Sequence, residues 1–253
     1  MKMTELLSAV MAALLLSATT SVQSAPSPAA GVSVVLVHGA ELDGSSWRGV
    51  YDILAKDGYR VSAVQVPLTG FDEDVAATRR VLDQDAGPVI LVGNSYGGSI
   101  ITVAGSDPKV KALVYVAALQ PDIGETSAEV APPKNHGSDK LRQTNDGFIF
   151  LDPAKFAEVD PDLPKATAEF MAHSQKPIYG AAFSTRLTTA AWRNKPSYVI
   201  IASDDRVLDG EVARRMANRA GSKVTVLKRG HFIHISHPRA VAQVIEAAAR
   251  TVK

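Results

Sequence analysis

An apolar run that leads directly into a glycine-flanked serine constrains the fold of this chain more than any other segment. Residues 89–99 read VILVGNSYGGS, and the first four are aliphatic, as in a strand buried on both faces. The G-x-S-x-G pattern that follows suits a sharp turn from a strand into a helix, with Ser95 at the turn. Gly93 and Gly97 are expected there because a Cβ at either position would collide with the neighbouring strand or helix. The segment therefore predicts a nucleophile elbow that exposes the Ser95 hydroxyl at the C-terminal edge of a sheet.

Length and composition exclude several classes of protein. The 253 residues are enough for one α/β domain with a large core, and 46% apolar with 21% charged residues excludes disordered and fibrous classes. Lys and Arg total 27 against 26 Asp and Glu, so there is no basic excess of the kind that nucleic-acid binding requires. The chain has no cysteine, which excludes disulfides, thiolate nucleophiles and cysteine-ligated metals.

Residues 1–24 have the layout of a secretory signal peptide. A basic residue precedes an apolar run at residues 6–16, and small and polar residues follow as far as Ser24. Val22 and Ser24 suit positions −3 and −1 of a cleavage site. The alternative is an uncleaved membrane anchor, but the run is too short to cross about 30 Å of hydrocarbon. We expect an exported protein, periplasmic or secreted, with residues 25–31 as a flexible lead-in.

Strands and helices alternate through most of the remaining chain. Strands are predicted at residues 32–37, 59–66, 88–92, 110–119, 197–202 and 223–227. Helices are predicted at residues 45–57, 72–85 with Asp72 as the cap, from the elbow to about 106, 210–220 and 238–252. Parallel strands need crossover connections, so this alternation predicts an α/β fold: a doubly wound, mostly parallel six-stranded sheet.

Residues 120–191 interrupt the alternation. Seven prolines separate short helical segments there, such as residues 155–159 and 165–174, and no long apolar strand occurs. So long a stretch within one domain indicates an excursion over the sheet rather than a structureless loop. We predict one domain at residues 32–253 that carries a helical cap insertion.

A serine nucleophile needs a base and an acid from loops at the same edge of the sheet. His231 follows the last predicted strand and is the favoured base, with His234 and His237 as alternatives. Asp205 follows the penultimate strand and is favoured over the adjacent Asp204 as the acid that orients the imidazole. The resulting order along the chain is serine, aspartate, histidine.

Two backbone amides are candidates for an oxyanion hole. Tyr96 comes directly after the serine, and Ala40 follows the His38-Gly39 pair at the end of the first predicted strand. His38 is expected to support this loop rather than to take part in catalysis. The predicted chemistry uses no metal and no cofactor.

These motifs together resemble the α/β-hydrolase superfamily. LVHGA at residues 36–40, GNSYGG at 93–98, SDDR at 203–206 and GH at 230–231 are similar to small bacterial esterase-like hydrolases related to plant methylesterases and hydroxynitrile lyases. The resemblance extends over residues 32–252 and implies that Asp205 and His231 complete the triad. Residues 41–42, Glu-Leu, depart from it, because relatives often carry smaller or aromatic residues there, and they add a charge near the oxyanion loop.

The predicted function is hydrolysis of carboxylic esters through an acyl-enzyme on Ser95. A cyanohydrin lyase is one alternative, although the resemblance implies a lysine after the histidine where this chain has Phe232. A slow-turnover ligand-binding or signalling homologue is another, because the fold alone does not settle function. The expected partner is a small-molecule ester, with no nucleic acid and no membrane after removal of the signal peptide. Seven large cap side chains are candidates for the pocket or the cap core: Phe148, Phe150, Phe156, Phe170, Met171, Tyr179 and Phe183.

Overall fold

The computed structural model describes residues 31–131 and 140–252, and a six-stranded parallel sheet lies at its centre. The strands in chain order are β1 (Ser33–Val37), β2 (Arg60–Val64), β3 (Val89–Asn94), β4 (Val110–Val116), β5 (Leu141–Gln143), β6 (Phe148–Leu151), β7 (Ile178–Tyr179), β8 (Ser197–Ala202) and β9 (Lys223–Leu227). The central sheet has the order β2-β1-β3-β4-β8-β9. The chain winds outward to β2 and then crosses back to β3 on the other side of β1. The loops after β1 and β3 therefore diverge, and such a switch point is where open α/β sheets bind ligands.

Helices cover both faces of this sheet. The α-helices in chain order are α1 (Arg48–Lys56), α2 (Phe71–Leu82), α3 (Gly97–Ala104), α4 (Ser127–Val130), α5 (Lys165–His173), α6 (Gly210–Arg219), α7 (Ile233–Ser236) and α8 (Pro238–Ala249). Short 3-10 helices lie at Gly44–Trp47, Pro153–Glu158, Gly180–Ser184 and Ala191–Arg193. No helix within the described ranges is both long enough and apolar enough to cross a membrane.

Successive residues of the buried strands point into two separate cores. In β1, Val35 and Val37 join the core under α2, α3 and α6, whereas Val34 and Leu36 join the core under α1 and α8. Alternation of this kind explains why the strand is aliphatic at every position, since both of its faces are covered. The six-stranded α/β fold expected from the sequence is thus confirmed.

The segment between β4 and β8 forms a cap beside the sheet edge. Its helices α4 and α5 are accompanied by a small antiparallel sheet of β5, β6 and β7, which the sequence pattern does not predict. These strands are two to four residues long and carry no long apolar run. A separate apolar cluster joins the cap to the main domain through Phe156 and Phe232, whose rings stack with centroids 5.7 Å apart.

One further expectation from the sequence is contradicted by the structure, and another concerns residues that it does not describe. The prediction that Asp72 caps a helix is wrong: α2 begins at Phe71, and Gly70 is its cap. Phe71 is drawn into the helix because its ring packs edge-on against Tyr96, with centroids 6.2 Å apart. The signal peptide, the membrane-anchor alternative and all but residue 31 of the lead-in lie outside the described residues.

Candidate active site

The turn after β3 holds Ser95 in a conformation that few non-glycine residues adopt. The φ angle of Ser95 is +52°, in the left-handed region, and α3 begins two residues later. Ser95 is partly exposed, while its neighbours from Gly93 to Gly98 are buried. Strained backbone of this kind persists only where the surrounding structure enforces it, and here it lifts one hydroxyl out of the sheet edge.

Close backbone approaches explain the glycines around the turn. A Cβ on Gly97 would lie 2.7 Å from the carbonyl oxygen of Val37, at the end of β1. A Cβ on Gly93 would lie 2.5 Å from the carbonyl oxygen of Gly97. Both distances are shorter than real Cβ contacts, so each position excludes every residue except glycine. The close packing of the strand, the turn and the helix therefore depends on these two glycines.

Tyr96, directly after the serine, anchors the turn from the other side. Its hydroxyl donates to Asp74 Oδ2 at 2.8 Å, and Asp74 Oδ1 accepts from the backbone N–H of Leu68 at 2.7 Å. Burial raises the pKa of Asp74 to about 6, although the hydrogen bond from Tyr96 opposes this shift. The bonds fix the Tyr96 side chain inside the core.

The loops after β8 and β9 bring His231 and Asp205 together. His231 Nδ1 lies 2.7 Å from Asp205 Oδ2, and both side chains are buried. An ionised carboxylate only accepts hydrogen bonds, so Nδ1 carries the proton and Nε2 is left free to accept one. The second oxygen of Asp205 accepts from the backbone N–H groups of Val207, at 2.7 Å, and Leu208, at 2.9 Å. The carboxylate is thereby held in a single orientation.

The charge of His231 is governed by its surroundings. Burial alone would lower its pKa, but Asp205, Asp160 and Glu41 together raise the pKa of His231 above its ordinary value. The imidazolium is therefore better stabilised here than in water. A histidine that must gain a proton during a reaction needs this kind of setting.

The alternative residues named from the sequence occupy other environments. His234 is buried with its ring centroid 4.5 Å from that of Trp47, and burial lowers its pKa to about 3. His237 contacts Ser236 Oγ at 3.0 Å, and Asp204 is exposed to solvent. None of these three side chains lines the cavity that contains Ser95 and His231.

His38 holds the loop after β1. Its Nε2 accepts from the backbone N–H of Val66 at 3.0 Å, so Nδ1 carries the proton and donates to the carbonyl oxygen of Gly39 at 2.8 Å. Burial lowers the pKa of His38 to about 4, and the ring is neutral. A Cβ on Gly39 would lie 2.8 Å from the Cβ of Ser95. The loop therefore passes directly against the serine.

Two backbone N–H groups flank Ser95 without an assigned acceptor. Ala40 lines the cavity beside the serine, and Tyr96 precedes the first residue of α3. Within residues 31–131 and 140–252, neither N–H donates to a backbone carbonyl. Free amides at a helix N-terminus and an adjoining loop are the kind of donors that stabilise a developing oxyanion.

Ser95 and His231 open into one cavity of about 370 Å³. Its wall is largely aliphatic and aromatic and includes Leu119, Ile149, Leu151, Val159, Phe183, Leu208 and Phe232. Of the large cap side chains named from the sequence, Phe183 lines this cavity. Phe156 instead belongs to the cap core, and Phe148 packs against Tyr179 with ring centroids 5.5 Å apart. The size and lining suit a small, mainly apolar ligand.

The cap contacts the loop that carries His231 through two aspartates that sequence reasoning missed. Asp160 Oδ2 accepts from the backbone N–H of Phe232 at 2.5 Å, and Asp162 Oδ2 accepts from that of Gly230 at 3.0 Å. The backbone amides on both sides of His231 are therefore bound by the cap. Some 70 residues of sequence separate these partners, and no local motif marks them.

The cap also contacts the other two loops of the site. The backbone N–H of Lys176 donates to the carbonyl oxygen of Glu41 at 3.2 Å, beside Ala40. Arg206, next to Asp205, donates to the carbonyl oxygen of Glu158 at 3.0 Å. The cap thus contacts all three loops that surround Ser95. No group of three His, Asp or Glu side chains in the described part of the chain is arranged as a metal site.

Comparisons with known proteins agree with this architecture. The model of the alpha/beta hydrolase family matches residues 34–244. An alpha/beta hydrolase of Aspergillus novofumigatus is 25% identical over 244 residues, which are 86% of this chain and 96% of that protein. Methylesterase 3 of Arabidopsis thaliana is 30% identical over 147 residues, 52% of this chain and 53% of its own. The crystal structure of a pyrethroid hydrolase from Sphingobium faniae superposes with a TM-score of 0.73 at 25% identity, covering 87% of this chain and 98% of that one.

Proposed function

The chain belongs to the alpha/beta hydrolase family, and we propose that it is a serine esterase in which Ser95, His231 and Asp205 form the catalytic triad. The observation that carries the proposal is the shared cavity: a serine on a left-handed turn and a histidine bound to a buried aspartate both line it. Relatives named as esterases and hydrolases support the same chemistry.

In the first half of the proposed reaction, Ser95 Oγ attacks the ester carbonyl carbon and gives its proton to His231 Nε2. Asp205 keeps the proton of the imidazole on Nδ1 and stabilises the imidazolium that forms. The carbonyl oxygen becomes an oxyanion, which accepts hydrogen bonds from the Ala40 and Tyr96 N–H groups. The C–O bond then breaks, and Nε2 returns the proton to the departing alcohol. The acyl group remains on Ser95.

In the second half, water replaces the alcohol. His231 Nε2 takes a proton from water as its oxygen attacks the acyl carbon, and the same donors bind the second oxyanion. Collapse returns the proton to Ser95 Oγ and releases the carboxylic acid. No other group has to be oxidised, reduced or bound for these steps to balance.

A cyanohydrin lyase that uses the same residues as a base is the second candidate. The residue after the histidine is Phe232, which is buried and stacks on Phe156, so it supplies no cation to stabilise a departing cyanide. This arrangement favours hydrolysis over lyase chemistry.

A slow-turnover binding protein is the third candidate, and one experiment separates it from an esterase. A panel of short-chain chromogenic esters is offered to the protein, and a fluorophosphonate probe is applied in parallel. Multiple turnovers with a probe adduct on Ser95 support the esterase. Ligand-induced thermal stabilisation without turnover or adduct would contradict it. We also propose that the protein is exported, as residues 1–24 predict, and locating it in cell fractions tests this.

A further inference from the structure

Glu41 lines the cavity beside Ser95 and His231, and the ester hydrolysis just described gives it no role. We propose that Glu41 selects substrates by charge, so that the cavity favours esters carrying an ammonium group over esters carrying a second carboxylate. The proposal rests on the esterase function above and adds a substrate class to it.

The backbone holds Glu41 firmly at this position. Its φ angle is +59°, in the left-handed region, and its carbonyl oxygen accepts from the backbone N–H of Lys176 in the cap. The preceding residue is Ala40, whose N–H is one of the two proposed oxyanion donors. A side chain that lines the same cavity as Ser95 meets every substrate that enters it.

Glu41 is half-buried in the cavity wall, and its carboxylate has no hydrogen-bond donor among the described residues. The charged group that acts on this carboxylate is His231. Burial raises the pKa of Glu41 to about 7, against the opposing attraction of His231. An ionised carboxylate in such a place gains most from a bound cation and repels a bound anion.

Two cationic side chains also line the cavity, but each has a partner elsewhere. Lys140 Nζ forms an ion pair with Glu158 Oε2 at 3.2 Å, and the Arg206 guanidinium donates to the Glu158 carbonyl oxygen. Among the cavity-lining side chains of the described chain that carry a full charge, Glu41 is therefore the one with neither a side-chain hydrogen bond nor a salt bridge. A ligand ammonium group can supply one.

The aromatic lining favours the same ligand. Phe183 and Phe232 both contribute to the cavity wall. The face of an aromatic ring attracts an ammonium group through its quadrupole and offers nothing comparable to a carboxylate. The cavity wall thus adds two aromatic side chains to the Glu41 carboxylate, and both kinds of group bind ammonium ligands.

The test compares three 4-nitrophenyl esters of matched chain length. Their acyl chains are pentanoate, which is neutral, 4-(trimethylammonio)butanoate, which is cationic, and hydrogen glutarate, which is anionic. The quantity measured is the ratio of kcat/KM for the cationic ester to that for the anionic ester at about pH 8.5, where a carboxyl of this kind is ionised. A ratio measured on one enzyme sample cancels the fraction of folded protein.

We expect Glu41→Gln to lower this ratio by about tenfold or more relative to wild type. Glu169→Gln removes the same charge from an exposed position on α5 and should leave the ratio unchanged. The wild-type ratio should also rise more steeply between about pH 6 and about pH 8.5 than the ratio of Glu41→Gln. Glu41 ionises in this range in wild type only, whereas His231 is present in both proteins. A ratio that is the same in wild type and Glu41→Gln overturns the proposal.

Failure of the esterase function gives a different result, since the neutral ester is then not hydrolysed either. In that case calorimetric binding of pentyltrimethylammonium and hexanoate decides the question without turnover. A preference for the cation that Glu41→Gln abolishes supports the proposal. Equal binding of both ions to wild type overturns it.

Discussion

Asp160 connects the cap to the imidazole of His231, and Asp160→Asn tests this connection. One carboxylate oxygen accepts from the Phe232 N–H at 2.5 Å, and the other accepts from the Asp162 N–H at 2.9 Å. The side chain is buried, and its negative charge is one of those that raise the pKa of His231. The substitution keeps the shape of the side chain but removes the charge and one acceptor.

The magnitude follows from these two bonds. Asparagine has one oxygen, so one of the two N–H groups is left facing an NH₂ group without an acceptor. A buried hydrogen bond to a charged group contributes about 1.5–3 kcal/mol, and we expect the free energy of unfolding to fall by about 2 kcal/mol. For a chain of this size that corresponds to a fall in Tm of roughly 4–8 °C.

The pH dependence of kcat/KM in Asp160→Asn tests the effect of the Asp160 charge on His231. Neutral His231 is the proposed base, so kcat/KM falls as the pH drops through the pKa of this histidine. Removing the Asp160 charge lowers that pKa, and the acid limb of the pH profile should move to lower pH. The assay is kcat/KM for a short-chain chromogenic ester from about pH 5 to about pH 9.

Asp162→Asn is the matched control. It makes the same change two residues away, at an exposed carboxylate that is not among the groups shifting the pKa of His231. Its acid limb should coincide with that of the wild type. An unmoved limb in Asp160→Asn, or an equal movement in both variants, would refute the assigned electrostatic link.

Two further substitutions test the groups around Ser95. In Asp205→Asn the side-chain oxygen stays with the Val207 and Leu208 amides, so the NH₂ group faces His231 Nδ1 and forces the wrong tautomer. We expect kcat, measured under substrate saturation, to fall by about 10³–10⁴-fold. A residual activity within tenfold of wild type would contradict the assigned role of this carboxylate. Tyr96→Phe removes the donor that lowers the raised pKa of Asp74, so the free energy of unfolding should fall by about 1–3 kcal/mol. The loss in unfolding free energy should grow as the pH rises through about 6, because the ionised Asp74 carboxylate needs the donor more than the neutral one. Urea denaturation at about pH 5 and about pH 8 measures both losses, and equal losses would count against this role of Tyr96.

Local patterns in the sequence predict most of the central sheet. The strands β8 and β9 lie at the predicted bounds. β8 is an unbroken buried run, and β9 is a partly exposed edge strand in which valines alternate with polar residues, so both patterns are readable in the sequence. The serine on its turn was predictable for a related reason. Its glycines are required by contacts within a few residues of Ser95 and with the adjacent strand β1. A sharp turn from a strand into a helix brings such segments close together, so the G-x-S-x-G pattern marks it.

Long-range contacts account for what the sequence did not reveal. The β5-β6-β7 sheet forms from strands too short to show a period, and Asp160 and Asp162 meet their partners about 70 residues away. The start of α2 moved from Asp72 to Phe71 because an aromatic contact with Tyr96 outweighs the capping preference of an aspartate. The unusual charge of Glu41 was visible in the sequence, but its place in the cavity wall became visible only in the folded chain.

The central claim is that Ser95 forms an acyl-enzyme, and a single comparison tests it most directly. Wild-type protein and Ser95→Ala are assayed with the same short-chain 4-nitrophenyl ester. Loss of the nucleophile should reduce kcat by at least about 10³-fold, while the fold, followed by circular dichroism, is retained. Ester hydrolysis at the wild-type rate in Ser95→Ala would contradict the account.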